Sequence, residues 1–212
     1  MSECHHYSKA RSYTEILKSA IYHHGMAAWI PVADCYGKAI DALSGELPSP
    51  EGLRVARDNL QKASVQIRNP VYFAALAKAM VAIGQADDAA RTIDHVLQAD
   101  SQRWLLPELL RLRAATERAF RHDGQAETTL RESLRVANEV GLLAWKLRSA
   151  HDLAVLLKDR GASAEARQIL VPVYEQFTDG FDSGDLRSSR QLLGQLLSSA
   201  VPPTSSRAGR PA

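Results

Sequence analysis

The stretch that decides the fold is LAWKLRSAHDLAVLL, residues 143–157. Leu143, Leu147, Ala150, Ala154 and Leu157 recur at spacings of four, three, four and three residues. A helix turns once in about 3.6 residues, so this rhythm places all five on one side of an α-helix and does not fit the alternation of a strand. Gly141 and Gly161 bracket the stretch. Glycine takes the left-handed backbone that follows a last helical turn, so both read as helix stops.

The same signals recur in both directions. Ser12 and Glu15 have capping-box spacing and predict a first helix from Ser12 to Gly25. A second helix is predicted over 26–43, with Pro31 near its start. Ser49 and Pro50 open a third, running to about Ile67. Asn69-Pro70 breaks the chain, and helices over 71–83 and 86–98 follow, separated by Gly84. A helix over 101–120 holds Pro107 in its early part, Asp123-Gly124 turns the chain, and the next helix ends at Gly141. Beyond Gly161, helices are predicted over 164–177 and 185–198. Residues 1–11 read as a flexible N-terminus, 12–199 as one helical domain, and 200–212 (AVPPTSSRAGRPA) as a disordered tail by composition.

The helices pair, and the pairs repeat. Small residues near the start of each second helix, Gly52, Ala89, Ala126 and Ala166, stand 37, 37 and 40 residues apart. Four places further on lie Ala56, Ile93, Leu130 and Leu170. Twelve places before the last three anchors lie Ala77, Ala114 and Ala154, where small side chains let paired helices approach closely. This is the logic of a TPR-like unit, slightly longer than the usual ~34 residues. The predicted fold is therefore all-α: a TPR-like helical-repeat solenoid of about four to five helix pairs in a right-handed stack. A non-repetitive helical bundle with coincidental spacing is the alternative, and it too is all-α.

Composition narrows the function. Of 212 residues, 45% are apolar and 24% charged, with a net charge of only +2, which disfavours a dedicated nucleic-acid binder. Cys4 and Cys35 are too few for a disulfide framework. The most apolar window, 26–33, is short and interrupted by Pro31, so no membrane span is expected and a cytoplasmic location is.

Residues 161–197 read GASAEARQILVPVYEQFTDGFDSGDLRSSRQLLGQLL. This resembles the end of the TPR-like C-terminal region of large bacterial STAND-type NTPase regulators. Their last repeat looks like GxxxEAxxLLxPVYxxFTEGFDTxDLxxAxxLL. The matching residues are Gly161, Glu165, Ala166, Leu170, Pro172, Val173, Tyr174, Phe177, Thr178, Gly180, Phe181, Asp182, Asp185 and Leu186. His24, Trp29, Cys35 and the RLRA run at 111–114 match more loosely, and the resemblance extends over about 12–197. Those regulators join a winged-helix DNA-binding domain or a class III cyclase domain to an NTPase and then to repeats. No GxxxxGK[ST] phosphate loop occurs here, so the family's ATPase, cyclase and DNA-binding activities do not carry over. The resemblance implies only the repeat domain, which in the family senses or docks a partner: a stand-alone or truncated docking module, or an accessory subunit acting with a separate NTPase.

No catalytic, cofactor or metal site is predicted. Cys4, His5, His6, His23, His24 and Cys35 lack the spacing of a closed zinc site. Cys35 reads as a small core residue, and Trp29, Trp104 and Trp145 as packing between pairs. The pair Asp182/Asp185 reads as loop and cap chemistry in preference to acid–base work. One pattern points to a partner. Projection of the repeat places Lys78, Glu108, Arg111, Arg118, Arg148, His151, Lys158 and Asp159 on the concave face. Five are basic and two acidic, so an acidic or C-terminal-carboxylate peptide is the expected partner, with Lys78, Arg111, Arg118, Arg148, His151 and Lys158 as its contacts. Tyr13, Ile16, Leu17, Ala20 and Ile21 form an apolar face on the first helix, so that edge is expected to associate with another copy or a partner.

Overall fold

The computed structural model describes residues 2–45, 49–63, 69–98 and 103–198, with side chains from residue 7 onward. Ten α-helices lie among them: α1 (Ser2–His23), α2 (Ile30–Ser44), α3 (Pro50–Lys62), α4 (Pro70–Ala82), α5 (Ala86–Gln98), α6 (Leu106–Ala119), α7 (Asp123–Glu139), α8 (Leu143–Asp159), α9 (Ser163–Tyr174) and α10 (Gly184–Ser198). A single 3-10 turn, Ala27–Trp29, precedes α2. No strand occurs among the described residues.

Side chains that satisfy free backbone groups set several of these boundaries. Ser49 Oγ accepts from the Gly52 N–H at 3.0 Å, and Pro50 needs no partner for an N–H it lacks. Asn69 Oδ1 does the same for Val71 N–H at 3.0 Å ahead of Pro70. Between the helices of a pair, three turns share one hydrogen-bond pattern. Gln85 N–H donates to Met80 O at 2.8 Å, His122 N–H to Glu117 O at 2.9 Å, and Ala162 N–H to Leu157 O at 2.9 Å. These are the long bonds of a Schellman ending. The left-handed residue at each turn is Gly84, Arg121 or Gly161, with φ of 77°, 63° and 81°. They stand 37 and 40 residues apart, the repeat itself, with arginine in the middle place.

Several predicted boundaries are corrected. The first helix opens at Ser2, not Ser12, and takes in residues that read as a flexible N-terminus. Ser12 makes no capping box: its hydroxyl donates to the Lys9 carbonyl at 2.8 Å, inside a continuing helix. Asp123 and Gly124 are the first turn of α7 and not a reversal, because Arg121 makes the reversal. The third helix stops at Lys62, the sixth begins at Leu106 and the ninth ends at Tyr174. The predicted tail at 200–212 lies outside the described residues.

The even helices form one layer, α2 on α4 on α6 on α8 on α10, and each odd helix packs on its neighbours in the chain. Among the described residues no two odd helices pack on each other to a comparable extent, so the even layer is the closer-set, inner side of the stack. The repeat anchors account for this closeness. Ala77, Ala89, Ala126, Ala154 and Ala166 are each wholly buried, and Ala114 nearly so. Ile93, Leu130 and Leu170 fill the space beside them. The buried side chains form two contiguous clusters, one over α2–α6 and one over α6–α10, that meet along α6. The all-α helical-repeat fold is thus the one that the apolar rhythm predicts.

Aromatic placement departs from expectation. Trp145 packs against the first cluster, but Trp29 and Trp104 are 37% and 39% exposed and do not fill the layers between pairs. On α1, Ile21 is buried while Tyr13 and Ile16 are 59% and 62% exposed, leaving an uncovered apolar edge.

Cys35 is fully buried, and its thiol reaches the Tyr72 carbonyl at 3.3 Å. Burial, and after it the charge of Asp34, pushes the thiol up to about 12. Since the thiolate is the reacting form, the native chain carrying Cys4→Ser should take up no thiol reagent at about pH 8, and should label fully once denaturant opens α2 from α4. Mass spectrometry of the labelled chain checks this; rapid labelling without denaturant contradicts it.

Candidate recognition groove

The inner face is laced by bonds from one even helix to the next. Arg111 on α6 donates to both oxygens of Glu108, at 2.8 Å each, and to Asp152 on α8 at 2.7 Å. Arg118 on α6 reaches Asp159 on α8 at 2.7 Å. Arg148 on α8 reaches Asp185 on α10 at 2.7 Å, and its guanidinium lies 4.9 Å from the Trp145 ring centre. Lys158 on α8 donates to Gln195 on α10 at 2.7 Å. The sequence separations are 41, 41, 37 and 37 residues, so one repeat reaches the next in near-constant register.

Charge and burial make the Arg111 bonds the firmest of these, since the Arg118 and Arg148 pairs are a third to nearly half exposed. Burial works against the charge on Arg111, but hydrogen bonds and charge from Glu108, and then from Asp152, hold it firmly protonated. Burial would raise the Asp152 carboxyl, yet the His151 and Arg111 side chains outweigh it and hold the carboxyl below its ordinary value. His151 Nδ1 lies 3.3 Å from the Asp152 carboxylate.

The predicted groove residues divide into two groups. Lys78, Arg111, Arg148 and His151 gather around one cavity of about 190 Å³, where α4, α6, α8 and α10 converge. Arg118 and Lys158 do not line it and are engaged in their own cross-helix bonds. The face carries more acidic residues than the repeat projection places on it. Asp152 and Asp185 join Glu108 and Asp159, which makes four acidic residues against five basic ones, and three of the arginines are already neutralised. Asp185 is not the cap of the last helix: Ser183 Oγ accepts from the Leu186 N–H at 3.4 Å, and Asp185 turns inward to Arg148. Asp182 is exposed and shares no site with it.

Ser188 and Ser189 also line the cavity, and nothing in their local sequence marks them. Ser189 is wholly buried, and its hydroxyl has no hydrogen-bond partner. Lys78 is exposed and makes no ion pair among the described residues. Also among the described residues, no group of three or more histidine, cysteine, aspartate or glutamate side chains gathers as a metal site, and no helix is long and apolar enough to cross a membrane. The side chains of Cys4, His5 and His6 lie outside the described residues.

No family model matches this chain, and no curated protein matches it. Among solved structures, the crystal structure of BtubC (BKLC) from P. vanneervenii is similar, with a TM-score of 0.60 and 13% identity over 97% of this chain and 96% of that one. At that identity the likeness is one of fold: a stack of helices followed along nearly the whole of both chains.

Proposed function

We propose that the chain is a non-catalytic protein-docking module that holds a segment of another protein along the inner face of its even helices. The observation that carries this reading is the preformed surface itself. Bonds from α6 to α8 and from α8 to α10 tie the even helices together across the face, with the buried Arg111 at the centre, and a polar cavity opens in its middle. Preorganisation of this kind lowers the cost of binding, because little of the surface needs ordering when the partner arrives. The motif over 161–186 serves the same surface: Ala166, Leu170, Val173 and Leu186 bury the seam that holds α10, and Asp185 anchors Arg148. The resemblance of that motif to STAND-type regulators supports a narrower version, an accessory docking subunit that works with a separate NTPase protein in the bacterial cytoplasm.

The test is site-dependent cross-linking. A photo-reactive residue at Lys78, on the inner face, should capture a discrete partner from the chain's own host. The same residue at Val55, exposed on α3 in the outer layer, should not. Equal yields from the two positions would remove the groove from the reading.

A further inference from the structure

We propose that the cavity between α4, α6, α8 and α10 is a seat for a single oxyanion, a carboxylate or a phosphate, presented by the docked segment. This rests on the docking reading and names what the groove grips. The cavity holds donors that the fold leaves unused. Arg148 spends Nε on Asp185, and among the described residues neither of its terminal amino groups has a hydrogen-bond partner. The guanidinium is held by the Asp185 bond on one side and by the Trp145 ring beneath, so its outer edge is fixed as a fork of the kind that matches planar or tetrahedral oxyanions. Lys78 brings an ammonium group from α4 with no acidic partner among the described residues. Ser189 brings a buried hydroxyl whose hydrogen-bonding capacity is unmet. A buried polar group without a partner costs on the order of 1–3 kcal/mol, so its presence calls for an explanation. Ser189 borders the cavity, and a turn of its side chain toward that space would let an oxygen there supply one.

Size and balance agree. About 190 Å³ exceeds the ~30 Å³ share of a water molecule several times over, enough for an oxyanion group and too little for a whole side-chain cluster. The acidic groups that line the cavity, Asp152 and Asp185, each give one oxygen to Arg111 or Arg148, and the other Asp152 oxygen lies 3.3 Å from His151 Nδ1. Ser188 does not compete as a donor, since its hydroxyl donates to the Asp185 carbonyl at 3.0 Å.

The experiment titrates the full chain with inorganic phosphate and, separately, with acetate at constant ionic strength, followed by amide and arginine side-chain NMR. Saturable shifts at Ser188, Ser189 and Arg148 in the millimolar range are expected for one of the two anions. Tighter phosphate binding assigns the seat to a phosphorylated side chain; tighter acetate binding assigns it to a carboxylate. Lys78→Met and Ser189→Ala should each weaken the response, the former about tenfold, and neither removes a bond that holds the fold. Linear, unsaturable shifts with both anions, or equal binding by both variants, overturn the oxyanion seat. Cross-linking from residue 78 would survive that result if the docking reading alone is right.

Discussion

Arg111→Met should unfold at a markedly lower denaturant concentration than the native chain, with a loss of about 3–5 kcal/mol. The reason is what it leaves behind. Glu108 is nearly closed to solvent, with its side chain 9% exposed, and Arg111 supplies both of its hydrogen bonds. Removal of the guanidinium strands a buried carboxylate and frees Asp152 on the next even helix. The double variant Glu108→Leu with Arg111→Met should recover most of the loss, since two apolar side chains satisfy each other where one charge cannot. pH gives a second readout. The Asp152 carboxyl is held below its ordinary value in the folded chain, so its stabilising effect is complete above the unfolded value near 4 and is lost as pH falls through the lowered one. The gap between native chain and Arg111→Met should therefore narrow as pH drops below about 4. A gap that stays constant there would show that Arg111 acts through packing and not through charge.

Leu130→Ala should cost about 2–5 kcal/mol. Leu130 is 1% exposed on α7, in the cluster that joins α6 to α10, and the buried alanines of that cluster, Ala114 and Ala126, have single methyl groups too short to fill the space. Val55→Ala is the control. Val55 is 48% exposed on α3, and its truncation should change stability by no more than about 0.5 kcal/mol. Urea unfolding of both variants decides the matter. Equal midpoints would mean that the repeating apolar positions do not carry the stack.

Much of the fold was legible because its causes are local. The helix stops at Gly84 and Gly161, the cap at Ser49, the break at Asn69-Pro70, and the anchors Ala89, Ala126 and Ala166 are each explained by residues within a turn or two. Misreadings arose where a local rule had a competitor. Ser12 has a capping partner at the right spacing, but α1 continues through it. Asp123-Gly124 has turn composition, but Arg121 already stands in the left-handed place that the repeat assigns. Trp29 and Trp104 are large and apolar, but both lie beside helix starts at the surface, where size alone buries nothing.

Spacing along the chain determined the helices, the period and the small residues at which pairs meet, because each depends on backbone geometry repeated every few residues. Only the tertiary structure decided which charges on the inner face are already spent. Arg111 and Asp152, or Arg148 and Asp185, are separated by 41 and 37 residues, and their meeting depends on the rise and rotation from one helix pair to the next. That same register leaves Lys78, Ser189 and the outer edge of Arg148 without partners around one cavity, a juxtaposition that no local pattern encodes.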